Sequence, residues 1–99
     1  MSGANRLEIS GIVAELKGLR HTPAGLPVVE FRIRHESERV EAGKPRKVNT
    51  VVEAIAFETL ARLVAKSEPG RRVRAEGFLC ARSRRSVKPV LHVTDITFE

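Results

Sequence analysis

The segment Glu76-Gly77-Phe78-Leu79-Cys80-Ala81-Arg82-Ser83-Arg84-Arg85-Ser86-Val87-Lys88-Pro89-Val90-Leu91-His92-Val93 constrains this chain more than any other. Its two flanks alternate in polarity, with the two-residue period of half-buried strands. Between them the loop holds Arg82, Arg84, Arg85 and Lys88 and no acid. The segment therefore reads as strand, basic loop, strand. Crowding like charges on one hairpin tip is unfavourable unless a polyanion neutralises them, and nucleic acid is the commonest such polyanion.

The same strand pattern recurs along the chain. A first strand is expected from about residue 5 to 16, with Leu7, Ile9, Gly11 and Val13 on one face and Glu8 and Ser10 on the other. Gly11 lies mid-strand, where a bulge or sharp bend is expected. The turn His21-Thr22-Pro23-Ala24-Gly25-Leu26-Pro27 follows. The second strand is the clearest: Val29, Phe31, Ile33 and His35 share one face, and Val28, Glu30, Arg32 and Arg34 the other. The stretch after it is charged and has no period, so a long mobile loop is expected at about residues 37–46. A third strand is expected at about 47–56. Phe57, Leu60, Ala61 and Val64 then recur at i, i+3, i+4 and i+7, the spacing of a short amphipathic helix ended by Pro69-Gly70. Fourth and fifth strands are expected at about 71–82 and 89–98, joined by the basic hairpin loop at about 82–88.

A chain of 99 residues supports one domain, 1–99, with one modest core. The expected class is all-β with one short helix. Five strands with a helix between the third and fourth is the order of the OB-fold, a five-stranded Greek-key barrel, although other five-stranded barrels share it.

The charge balance narrows the partners. There are 18 Lys+Arg against 12 Asp+Glu, a net charge of +6. Most of these bases are arginine, whose planar fork suits phosphates and stacks on bases. The single cysteine, Cys80, allows no disulfide within the chain, which fits a reducing compartment, and it is expected to be buried. The N-terminal residues contain no apolar segment, so no signal peptide is expected. No apolar run approaches the ~20 residues of a membrane span.

Nothing points to catalysis. His21, His35 and His92 are scattered and, with one cysteine, give no paired metal-ligand spacing. There is no nucleophile motif, no phosphate-binding glycine loop and no evident acid/base pair. No catalytic residue, metal or cofactor is expected.

Sequence-neutral binding of single strands needs cations along the backbone path and flat groups for the bases. The cations proposed for this role are Arg34, Lys44, Arg46, Lys47, Arg74, Arg82, Arg84, Arg85 and Lys88. Arg32 and Arg34 fit equally well as partners of Glu30 or Glu53 across a sheet. Flat groups are scarce: the chain has no Trp, no Tyr and four Phe. Phe78 alone stands on a polar strand face, and it also suits core or interface packing. Binding dominated by phosphate neutralisation is therefore expected.

An ordered set of short motifs carries a family resemblance. Asn5-Arg6-Leu7 with Ser10-Gly11, Thr22-Pro23-Ala24-Gly25-Leu26-Pro27, His35-Glu36-Ser37, Glu41-Ala42-Gly43, Glu76-Gly77-Phe78-Leu79 and Val90-Leu91-His92 span nearly the whole chain. In this set the chain resembles the primosomal replication protein N (PriB) family, relatives of the single-stranded-DNA-binding proteins. The resemblance implies an OB-fold homodimer in the bacterial cytoplasm that binds single-stranded DNA. It also implies contact with a replication-restart helicase and with a further primosome protein, and no membrane association.

One departure bears on binding. Members of the family can carry aromatic residues in the loop after the second strand. Here Gly43 to Asn49 holds Lys44, Arg46, Lys47 and Asn49 and no aromatic, with Arg46 at a basic position of the family. Two other functions share the sequence signals. One is a general single-stranded-DNA-binding protein, which often carries a long acidic-ended tail, whereas this sequence stops at Thr97-Phe98-Glu99 directly after its last strand. The other is a dimeric protein–protein adaptor whose basic hairpin docks an acidic partner.

Overall fold

Alternation along the second strand sets the barrel wall. In β3 (Pro27–Glu41), Val29, Phe31 and Ile33 are buried while Arg32 and Arg34 are exposed. Around it stand β1 (Leu7–Leu16), the short β2 (Arg20–His21), β4 (Lys44–Phe57), α1 (Thr59–Ala65), β5 (Arg72–Ala81) and β6 (Pro89–Phe98). These elements come from a computed structural model, which describes residues 3–99.

The sheet order is β1-β5-β6-β4-β3-β2, and β1 also pairs with β3. That second pairing closes five strands into a barrel and leaves β2 as a small appendage on β3. The β4–β6 contact is parallel and limited to Ala54↔Leu91 and Ile55↔His92. All other pairings are antiparallel. This is the closed five-stranded OB-fold barrel, mostly strand with one short helix, as expected from the order of elements.

Inward residues of every wall strand meet in one core: Val13, Val29, Phe31, Ile33, Ala54, Ala56, Val73, Ala75, Leu91 and Val93. The helix α1 closes one end with Ala61 and Val64. Two glycines permit the tight wall. A Cβ on Gly11 would collide with the Arg34 carbonyl, and one on Gly77 with the His92 carbonyl. Gly11 thus sits where β1 begins to meet β3. The irregularity expected there falls slightly later, between Val13 and Glu15.

Three local expectations are corrected. The segment 37–46, read as an irregular loop, is strand almost throughout: β3 and β4 stay paired from Ser37↔Val48 to Glu41↔Lys44. Ala42 and Gly43 make the two-residue turn, both at positive φ (52° and 78°), the geometry of a type I′ hairpin. Phe57 is not on the helix but ends β4, and the residue is 38% exposed. Cys80 is exposed rather than buried, because even-numbered positions of β5 face outward. Among the described residues, no helix is long and apolar enough to cross a membrane.

Candidate nucleic-acid interface

The loop joining β5 to β6 is compact. Arg82 N–H donates to the Lys88 carbonyl (2.9 Å), and Ser83 and Ser86 exchange backbone bonds (3.3 Å each). The Ser83 hydroxyl accepts from the Arg85 and Ser86 amides, 3.2 Å each. Serines thus tie the loop to itself and leave Arg84 and Arg85 exposed at its tip. Among the described residues neither makes an ion pair.

The stem of the same loop is engaged. Arg82 lies 3.3 Å from Glu30 and 3.8 Å from Glu53, and Lys88 Nζ lies 3.1 Å from Glu53. Glu53 also meets Arg32 (3.4 Å), its register partner across β3 and β4. Arg32 in turn reaches Glu15 (3.1 Å), and Glu30 reaches Arg20 (2.9 Å). The close approach of the Lys88 ammonium, helped by the charges of Arg82 and Arg32, holds the Glu53 carboxyl below the usual value against the opposing effect of burial. Glu30 is lowered in the same way, chiefly by its hydrogen bond from Arg20, with Arg82 and Lys17 adding to it. Both carboxylates are therefore ionised at neutral pH.

A second cationic group lies further along β3. Residues paired across neighbouring strands share a face. Ile12 of β1 pairs with Arg34 on one side and Arg72 on the other, so both guanidinium groups flank it. With Arg39 they line a cleft of about 410 Å³ floored by Ser10, Gly11 and Ile12. His35 braces the cleft wall: Nδ1 lies 2.6 Å from the Ser10 carbonyl and Nε2 lies 2.8 Å from the Ser37 hydroxyl. A carbonyl only accepts, so Nδ1 carries the proton. Among the described residues, Arg34, Arg39 and Arg72 make no ion pair. Arg34 is two residues from Arg32 on the same face, about 7 Å by strand rise, so the cleft adjoins the stem network.

The remaining cations are dispersed. Arg74 is exposed on β5 opposite Ser10 and Thr97. Lys44, Arg46 and Lys47 lie on the β3–β4 arm. Arg46 pairs with Glu41 at 2.8 Å, Lys44 stands opposite Glu41, and Lys47 opposite Glu38. The arm thus carries its own acids.

Flat groups are better supplied than the composition suggests. Phe78 and His92 are register partners and stack with centroids 5.2 Å apart and planes at 20°. Phe57 stacks on the other side of His92 at 6.2 Å and 30°. The series Phe78–His92–Phe57 lies on the outer barrel wall, with Phe78 40% exposed. Phe78 and Cys80 alternate outward along β5 and Arg82 follows directly after its end, which places the rings about 13 Å from the hairpin stem. Sequence reading found Phe78 but missed Phe57 and Arg39. The outward run Val51, Glu53, Ile55, Phe57 was the available signal for Phe57, and helical spacing masked it. Nothing in the sequence marked Arg39 and Arg72 as neighbours.

A closed OB barrel bearing unpaired guanidinium forks and an exposed ring stack has the architecture of the single-strand-binding class. A family profile described as another single-strand binding protein family matches residues 5–95. The replication restart protein PriB of Bordetella pertussis is 46% identical over 89 residues, covering 90% of this chain and 83% of that one. PriB of Nitrosomonas europaea is 38% identical over 92% of this chain and 84% of its own. Among solved structures, PriB of Ralstonia solanacearum superposes with a TM-score of 0.87 at 28% identity, covering 98% of this chain and 99% of that one. The chain belongs to the PriB family of replication restart proteins.

Proposed function

We propose that this protein binds single-stranded DNA as a non-enzymatic accessory of replication restart, in the bacterial cytoplasm and as a homodimer. The observation that carries the reading is the basic hairpin: a compact loop with Arg84 and Arg85 unpaired at its tip, on the same barrel wall as the Phe78–His92–Phe57 stack. Phosphates follow the cations from the hairpin toward the Arg34–Arg39–Arg72 cleft, and bases lie on the rings. The arm residues Lys44, Arg46 and Lys47, and Arg74 on β5, contribute at the margins. Membership in the PriB family supports a further role, bridging a restart helicase to another primosome protein.

Titration of labelled oligothymidine at two salt concentrations, beside a sizing column, tests this. If about four phosphates are neutralised, log affinity falls against log salt with a slope near −3. Arg84→Ala with Arg85→Ala is expected to weaken binding and make the slope shallower by about 1.4, at unchanged melting temperature. Normal binding by that double variant removes the hairpin from the site.

One observation favours a second reading. Arg46, Arg82 and Lys88 are already paired with acids, and the stretch from Gly43 to Asn49 holds no aromatic residue. A protein–protein adaptor presenting this hairpin to an acidic partner predicts negligible oligonucleotide affinity at physiological salt.

A further inference from the structure

Glu30 and Glu53 sit where a polyanion would have to lie to use the whole hairpin. Both belong to rigid strands, β3 and β4, and their partners Arg82 and Lys88 are the two ends of the loop. The acids are only 21% and 17% exposed, against 40% and 60% for Arg82 and Lys88, so the contacts are sheltered from the acid side and open to solvent on the other. With Glu15, the acids meet four cations: Arg20, Arg32, Arg82 and Lys88. The group is nearly neutral as it stands. A phosphate that took Arg82 and Lys88 would leave Glu30 to Arg20 alone and Glu53 to Arg32 alone, so each half-sheltered carboxylate would lose part of its compensation, which is costly.

We infer that Glu30 and Glu53 form an acidic latch that fastens both stems of the basic hairpin to the barrel wall, withholds Arg82 and Lys88 from the nucleic acid, and leaves Arg84 and Arg85 as the hairpin's phosphate contacts. The inference rests on the reading that this hairpin takes single-stranded DNA. The acids thereby set both the aim of the tip and the number of phosphates it engages. Releasing them makes the hairpin a stronger and more salt-sensitive binder.

The test is the full chain carrying Glu30→Gln and Glu53→Gln, titrated with oligothymidine at 50 and 200 mM salt. Freeing two further cations steepens the slope by about 1.4, so the loss of affinity between those salts grows about sevenfold, and binding at low salt tightens. Glu68→Gln removes one charge in the loop after α1, outside the network, and is expected to leave the slope unchanged. An unaltered slope in the double variant overturns the latch, as does an equal steepening in Glu68→Gln.

Amide hydrogen exchange over residues 82–88 reads the same contact without nucleic acid. Faster exchange in the double variant supports the latch, and unchanged exchange overturns it. If the native chain shows no affinity for oligothymidine, the DNA-binding reading fails, while exchange still decides whether the acids fasten the loop. Should the double variant not fold, Glu53→Asp serves. It keeps the charge but is one methylene shorter, and it is expected to speed exchange at 82–88; the native rate would overturn the proposal.

Discussion

Arg32 and Ile33 are chain neighbours with opposite fates. One faces out and meets Glu15 and Glu53, and the other is fully buried. The two-residue period decides this, which is why Val29, Phe31 and Ile33 were legible from sequence, whereas Val28, expected on the polar face, is buried as well because the start of β3 is covered on both sides. Ile33→Ala is expected to destabilise the fold by about 2–5 kcal/mol, read from the denaturant midpoint, because the surrounding wall closes only partly over the space left. The partners of the outward side chains were less legible. Pairing of Arg32 with Glu53 was one of the options the sequence offered. The contacts of Arg82 and Lys88 with Glu30 and Glu53 depend on how β4 and β6 meet around the barrel, and no local pattern records that. Phe57 was misplaced for a related reason: its spacing to Leu60, Ala61 and Val64 fits a helix as well as its spacing to Ile55 fits a strand.

Among the elements, the helix and the basic hairpin were read nearly as they stand, and β6 was read at its observed limits. The β3–β4 arm was not. Its residues beyond His35 lie beyond the core, mostly exposed, so no apolar alternation arises to betray the strands. The clue was Gly43, whose positive φ serves a two-residue turn. Ala42 occupies the other turn position at φ 52°, where a Cβ is disfavoured. Ala42→Asn is therefore expected to stabilise the protein by about 0.5–1 kcal/mol, since Asn tolerates the left-handed region. Thermal unfolding of the two proteins side by side checks it.

For the whole molecule, the order of strands around one helix was enough to indicate the barrel. The closure by β1 and β3 was supplied by the OB-fold reading rather than by any residue. Electrostatics also act at this scale, because the acids of β3 and β4 connect them to the β5–β6 loop. Glu30 and Glu53 are held below the ordinary carboxylate value of 4.5 in the folded state. The unfolded chain therefore binds protons more readily there. Their contribution to stability is present above that pH and is lost as the pH falls through the folded values. Melting temperatures recorded down the acid limb are expected to drop further for the native chain than for the chain with Glu30→Gln and Glu53→Gln.

The arm carries one more consequence. Beyond Ala54 and Ile55, β4 has no second strand beside it, so residues 44–53 present a long bare edge among the described residues. Such an edge is a template for runaway self-association. Pro45 lacks an amide hydrogen to offer a newcomer, and Lys44, Arg46 and Lys47 repel an identical ribbon. These residues act as gatekeepers of solubility whatever they do for ligands. Lys44→Val with Lys47→Val is expected to raise light scattering on concentration while leaving the barrel's unfolding midpoint in place.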